Sequence, residues 1–239
     1  MTSTVEISAN ELKAWEAISL NEDGVLPPET DDNHDLRART HRRPTSVNTS
    51  LLSPTNKGLN YCGQAAAASV ISAWNKGGGK SAVQIMDDVL SRFPPDLNVG
   101  EFNFGTSPNR IMQILNTYGL KASFFNIPVW QSGGFMNPLN QPGWHAYRSQ
   151  IEGFMHSGYT PIVLVDTGML PNRTNDIWWS LHYTVLQSTG GGQTTLCNSF
   201  GSDGRYSDES MPESRFHEAW EARAWPIPWL KFATIIAYE

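Results

Sequence analysis

The spacing of apolar and polar positions changes character along the chain. From Cys62 the run CGQAAAASVISAW is apolar on almost every side, and its small residues permit close packing, so it predicts a buried helix that NKGGGK then ends. SAVQIMDDVLSRF has apolar residues at helical spacing and stops before Pro94 and Pro95. SPNRIMQILNTYG supplies Ser107 as N-cap, Pro108 at the first helical position and Gly119 past the end. A strand is predicted at KASFFN, and a further helix at PGWHAYRSQIEGFMHSG, closed by Gly158. Beyond it the period shortens. TPIVLVD is a continuous apolar run suited to a buried strand, and LHYTVLQS and QTTLCNSF are strands joined by a glycine-rich hairpin at TGGG. MPESRFHEAWEA reads as a short helix and WLKFATIIAYE as a last strand. Helices first, strands later and hairpins in place of crossovers predict an α+β fold with an antiparallel sheet.

Residues 1–50 read differently. ANELKAWEAISL is amphipathic, with Leu12, Trp15, Ile18 and Leu20 at roughly helical spacing, and the rest is acidic, then basic, and poor in apolar residues. The expected organisation is an amino-terminal arm or pro-segment over 1–50 and one domain over 51–239. The arm is expected to restrain access to a cleft or to recruit a partner, and not to form part of the core.

Composition narrows the function classes. The chain has 239 residues, 39% hydrophobic and 17% charged, an ordinary globular composition. A formal net charge of −6 gives no electrostatic reason to expect nucleic acid or an anionic membrane as partner. No apolar stretch approaches the ~20 residues needed to span a bilayer, and MTSTVEISANELKAWEAISL lacks the basic and apolar regions of a standard signal peptide. The expected location is cytoplasmic, or outside the cell by another route. Two cysteines, Cys62 and Cys197, exclude a disulfide framework and leave one bridge conceivable. The six histidines show no zinc spacing, so neither metal nor cofactor is expected.

Cys62 stands where a polar loop becomes a helix. Backbone N–H groups point outward unpaired there, and the positive end of the helix dipole favours a thiolate. A cysteine nucleophile needs a base and a third group to hold that base in the right tautomer. His182 begins one strand of the predicted hairpin and Asn198 ends the other, so antiparallel pairing brings them side by side. Alternation puts Asn198 and Leu196 on one face and Cys197 on the other, against a Cys62–Cys197 bridge.

The order Cys, His, Asn, with YCGQAAA opening a helix and PIVLV, HYTVLQS and CNSFG following, resembles the papain-like cysteine peptidases. Within them the chain is most similar to the double-glycine leader peptidases, which process bacteriocin precursors. SGYTPIVLVDTG resembles the strand ahead of their catalytic histidine, and SRFHEAW their closing helix. The resemblance spans residues 52–239 and implies a papain-like fold, with the nucleophile at the start of a buried helix packed on an antiparallel sheet. It implies Cys62 as nucleophile, His182 as base and Asn198 as orienting residue, sixteen positions after the histidine as in that family. Where the family has an oxyanion-hole Gln, six residues before the cysteine, this chain has Asn56. Asn56 and the backbone N–H of Cys62 are the expected oxyanion donors. Trp178 and Trp179 are candidates for the wall of a substrate cleft, or for the core. Gly77–Gly79 resembles a double-glycine cleavage site but reads better as a helix terminator. The double-glycine peptidases are usually fused to a transporter, whereas this sequence carries neither a spanning segment nor a phosphate-binding glycine loop.

The function expected is therefore a thiol hydrolase that cleaves a peptide, protein or other acyl substrate through an acyl-enzyme. Two alternatives stand beside it: deamidation, transamidation or acyl transfer by the same nucleophile, as in bacterial effectors, and a catalytically silent binding module.

Overall fold

The computed structural model describes residues 44–56, 60–99, 102–125, 155, 158–166, 168, 170, 181–198, 207–220 and 233–239. Two short 3-10 turns, Thr49–Leu51 and Pro54–Asn56, precede helix α1, Cys62–Ala73. Helix α2, Ala82–Arg92, begins with a reciprocal capping box: the Ser81 hydroxyl accepts from the Gln84 N–H, and the Gln84 side chain accepts from the Ser81 N–H. Helix α3, Pro108–Thr117, starts after Ser107, whose hydroxyl accepts from the Arg110 N–H, and Gly119 follows it with φ +79°. Asn75, with φ +53°, ends α1: its N–H donates to the Ser72 carbonyl and that of Lys76 to the Ile71 carbonyl, and Gly78 and Gly79, with φ of +63° and +81°, follow this cap in the turn to α2.

A six-stranded antiparallel sheet lies behind these helices. Its strands are β3 (Lys121–Phe125), β4 (Thr160–Asp166), β5 (Leu181–Gly190), β6 (Gln193–Asn198), β7 (Ser207–Pro212) and β8 (Thr234–Tyr238), in the spatial order β3-β8-β4-β5-β6-β7. A small hairpin of β1 (Leu97–Val99) and β2 (Phe102–Gly105) stands apart from it. Gly191 and Gly192, with φ +62° and +81°, make the tight turn from β5 to β6, as the glycine run predicts. The fold is α+β, as expected. The β1–β2 hairpin and strand β7 are additions to the expected elements, while the helix expected over 142–158 lies largely outside the described residues.

Both faces of the sheet are covered. Helices α1, α2 and α3 pack on one face, where Ala65, Ile71, Ile85, Ile114, Leu164 and Val185 share a buried cluster. Helix α4, Glu213–Trp220, covers the other face, burying Phe216 and Trp220 on Val163, Val165, Leu196 and Ile236. Alternation along β5 and β6 therefore sends Tyr183 and Cys197 towards α1 and Leu186 and Leu196 towards α4.

The amino-terminal boundary moves. Val47 is fully buried in the α1-side core and Leu52 nearly so, so packing begins before residue 50. The Gln187 side chain donates to the Pro44 carbonyl at 3.1 Å, and the Ser46 hydroxyl donates to Asp208 at 3.0 Å. The end of the expected arm is thus part of the domain, and the amphipathic stretch around Trp15 lies outside the described residues. Among the described residues no helix is long and apolar enough to cross a membrane.

Candidate active site

Helix α1 starts without a side-chain cap: Tyr61 holds the N-cap position and makes no capping hydrogen bond. The first residue is Cys62, half-buried, and the second is Gly63, fully enclosed. A Cβ at Gly63 would come within 2.9 Å of Thr106 Cβ and 3.0 Å of Ile111 Cδ1, so only glycine lets this end of α1 sit against the start of α3. Gln64 is wholly buried; its amide donates to the Phe93 carbonyl at 3.1 Å and accepts from the Thr106 hydroxyl at 2.7 Å. Helix start and surroundings are thus locked together, which fixes where the Cys62 thiol points.

The thiol meets three backbone N–H groups: its own, that of Gly63 and that of Tyr183 on β5. Each favours the thiolate, but burial disfavours it more, and the net effect raises the Cys62 pKa above the ordinary thiol value. This corrects the sequence expectation. A helix start lowers a thiol pKa where water still reaches the sulfur; packed against β5, the sulfur loses more hydration than the N–H dipoles return. Burial pushes the Cys197 pKa up to about 11, although the Ser46 and Ser69 hydroxyls hold it down somewhat. Both cysteines are free thiols.

His182 precedes the residue whose N–H meets the Cys62 sulfur. It pairs with Val165 across β4–β5, which places it on the α4 face of the sheet, and it is only 3% exposed. Asn198, 1% exposed, lies on the same face at the end of β6. His182 Nε2 and Asn198 Oδ1 are 2.7 Å apart. An amide oxygen only accepts, so Nε2 carries the hydrogen of this pair. Strand pairing read from sequence thus brings His182 and Asn198 together, and the Cys62 thiol reaches the strand backbone one residue further on.

Asn56 is hydrogen-bonded to α2. Its side-chain NH2 donates to the Asp87 carbonyl at 3.0 Å and also to the Asp87 carboxylate, tying the second 3-10 turn to α2. Both N–H donors are spent, so the side chain has none left for an oxyanion. Spacing alone pointed to that role, and the acidic residue on α2 that takes up the amide is invisible to spacing. Trp178 and Trp179 lie outside the described residues.

Sequence reasoning missed one polar partner. Glu209, on β7, stands opposite Leu196 in the β6–β7 ladder, and its Oε2 accepts from Asn198 Nδ2 at 2.8 Å. No signal pointed to it, because SDESMP has no apolar alternation to mark it as a strand.

No family model matches the chain, and neither does any curated protein. Solved structures do resemble it at low identity. One is a double-glycine motif protease from an AMS/PCAT transporter, crystallised with its leader peptide: 13% identity, TM-score 0.43, 84% of this chain and 96% of that chain covered. A protein assigned as a C39-like peptidase from Bacillus anthracis matches at 11% identity and TM-score 0.46, over 82% and 98%. The peptidase domain of Streptococcus mutans ComA matches at 11% identity and TM-score 0.37, over 77% and 95%.

Proposed function

We propose that the chain is a papain-like cysteine peptidase, in which Cys62 is the nucleophile, His182 its base and Asn198 the group that orients the base. The observation that carries this reading is the 2.7 Å contact between His182 Nε2 and Asn198 Oδ1, beside a thiol seated on the N–H of Tyr183. With Nε2 occupied, the lone pair available for base catalysis is on Nδ1. That nitrogen is the one nearer the ring's own backbone, and this role requires it to face the Cys62 sulfur. His182 takes the thiol proton, the sulfur attacks an acyl carbon, and the leaving group takes the proton from the imidazolium. Water, deprotonated by the same ring, then resolves the acyl-enzyme. The backbone N–H of Cys62 remains as an oxyanion donor, without Asn56. Burial of the sulfur fits this scheme, because the thiolate then forms only as a pair with the imidazolium. A peptide or protein substrate is the class proposed.

A second reading, a silent binding module of the same fold, is favoured by one observation: Asn56 spends both amide donors on Asp87. A peptidyl chloromethyl ketone separates the two. Intact mass should show one adduct per chain, absent in Cys62→Ala; a chain that takes up none supports the silent module. Product masses from a glutamine-containing peptide then distinguish a cut from amide-to-acid exchange or acyl transfer.

A further inference from the structure

An asparagine is an ambiguous orienting group. Its side chain ends in an oxygen and an NH2 of nearly equal size, and a half-turn about the last bond exchanges them. With oxygen towards His182, the amide accepts from Nε2–H and leaves Nδ1 as a base. With NH2 towards His182, it needs an unprotonated Nε2, which drives the ring proton onto Nδ1 and removes the base from the Cys62 side. An orienting carboxylate has no such ambiguity. An asparagine needs a neighbour that chooses for it.

Glu209 is placed to choose. It stands opposite Leu196 in the β6–β7 ladder, on the face that also carries Asn198, one diagonal step away. Its Oε2 lies 2.8 Å from Asn198 Nδ2, while Asn198 Oδ1 lies 2.7 Å from His182 Nε2. An ionised carboxylate can only accept, so the amide end facing Glu209 is the NH2, and the end facing His182 is the oxygen. The orientation follows from what each neighbour can donate or accept.

We propose that Glu209 is a positioning residue that fixes the Asn198 amide and, through it, holds the His182 imidazole in its Nε2–H tautomer. The inference rests on the peptidase reading for its consequence, although the tautomer itself is observable without catalysis. In this arrangement the carboxylate that orients the histidine acts through an amide relay from β7. The proton order is fixed: Nδ2–H towards Glu209, Nε2–H towards Asn198, and Nδ1 unprotonated.

The test uses the full chain and two readouts. The first is long-range proton–nitrogen NMR of the His182 ring, assigned by loss of its signals in His182→Ala. The second is the rate at which iodoacetamide alkylates Cys62. Wild type should show the Nε2–H form. Glu209→Ala should show a mixture with the Nδ1–H form. Only the Nε2–H fraction is competent, so alkylation should slow in proportion to the Nδ1–H share seen by NMR, about twofold for an equal mixture and about tenfold where roughly one ring in ten keeps Nε2–H. Glu209→Gln, whose amide can either accept from Asn198 or donate to it, removes the choice as well and should also show a mixture and a slowed rate. An unchanged Nε2–H signal in Glu209→Ala overturns the proposal.

Should Glu209→Ala not fold, Asn198→Asp carries the test. Alone it sets two carboxylates against each other and should slow alkylation. With Glu209→Gln added, the new amide donates to the introduced carboxylate, and the rate should rise above that of Asn198→Asp alone; no rise overturns the proposal. If iodoacetamide modifies Cys62 in wild type no faster than Cys197, the peptidase reading fails, and the tautomer measurement still judges Glu209 on its own.

Discussion

Val47 provides a quantitative check on where the domain begins. It sits in a segment whose composition reads as a solvated tail, yet it is fully buried, while Leu51, four residues on, is 68% exposed. Val47→Ala removes two methyl carbons from the α1-side core, about 1.6 kcal/mol at ~0.8 kcal/mol per buried carbon. If the surroundings do not collapse, a void of ~50 Å³ adds about 1.2 kcal/mol at ~24 cal/mol per Å³. The expected loss is therefore about 1.6–2.8 kcal/mol by these two coefficients. For a chain of this size each kcal/mol moves the melting temperature by about 2–4 °C, so Tm should fall by roughly 3–11 °C. Leu51→Ala is the internal control and should stay within ~0.5 kcal/mol of wild type. Thermal unfolding followed by circular dichroism reads both. A Val47→Ala protein that melts with the Leu51→Ala control would refute the placement of this segment in the core.

Other expectations concern the site. His182→Ala should abolish turnover of a peptide substrate almost as fully as Cys62→Ala, because base and nucleophile act as one unit, whereas Asn198→Ala should be milder; an unchanged rate in Asn198→Ala would move the orienting role elsewhere. Asn56→Ala should leave turnover intact and alter acid stability instead. The Asn56 amide, followed by the Ser53 hydroxyl and N–H, holds the Asp87 pKa below the ordinary aspartate value, so its stabilisation is full above that value and fades as pH falls through the lowered one. Removing Asn56 should raise the Asp87 pKa in a carboxylate NMR titration and flatten that acid-side loss; a large fall in kcat would restore Asn56 to the oxyanion hole.

The elements that declare themselves in the sequence carry a local reason to form. Ser107, Pro108 and Gly119 bracket α3, the glycine run sets the β5–β6 turn, and the unbroken apolar run of β4 matches burial on both faces. From the hairpin alone, His182 and Asn198 were legible as neighbours. What was not legible depends on long-range partners. Strand β7 is polar because it lies at the sheet edge, so it has no alternation to read, and Glu209 was missed with it. Val47 is one apolar residue in a polar segment, and only the pocket that receives it reveals its role. At Cys62 the helix start was visible but the packing over the sulfur was not, and there burial outweighs the dipole.

The central claim is that Cys62 and His182 form one reactive pair. Limited alkylation with iodoacetamide near neutral pH, followed by peptide mapping of Cys62 and Cys197 in wild type and His182→Ala, tests it most directly. The account predicts that Cys62 is modified while Cys197, buried and with its pKa near 11, is spared, and that His182→Ala removes most of the Cys62 reactivity. Equal modification of both cysteines, or a Cys62 rate unchanged by His182→Ala, would contradict it.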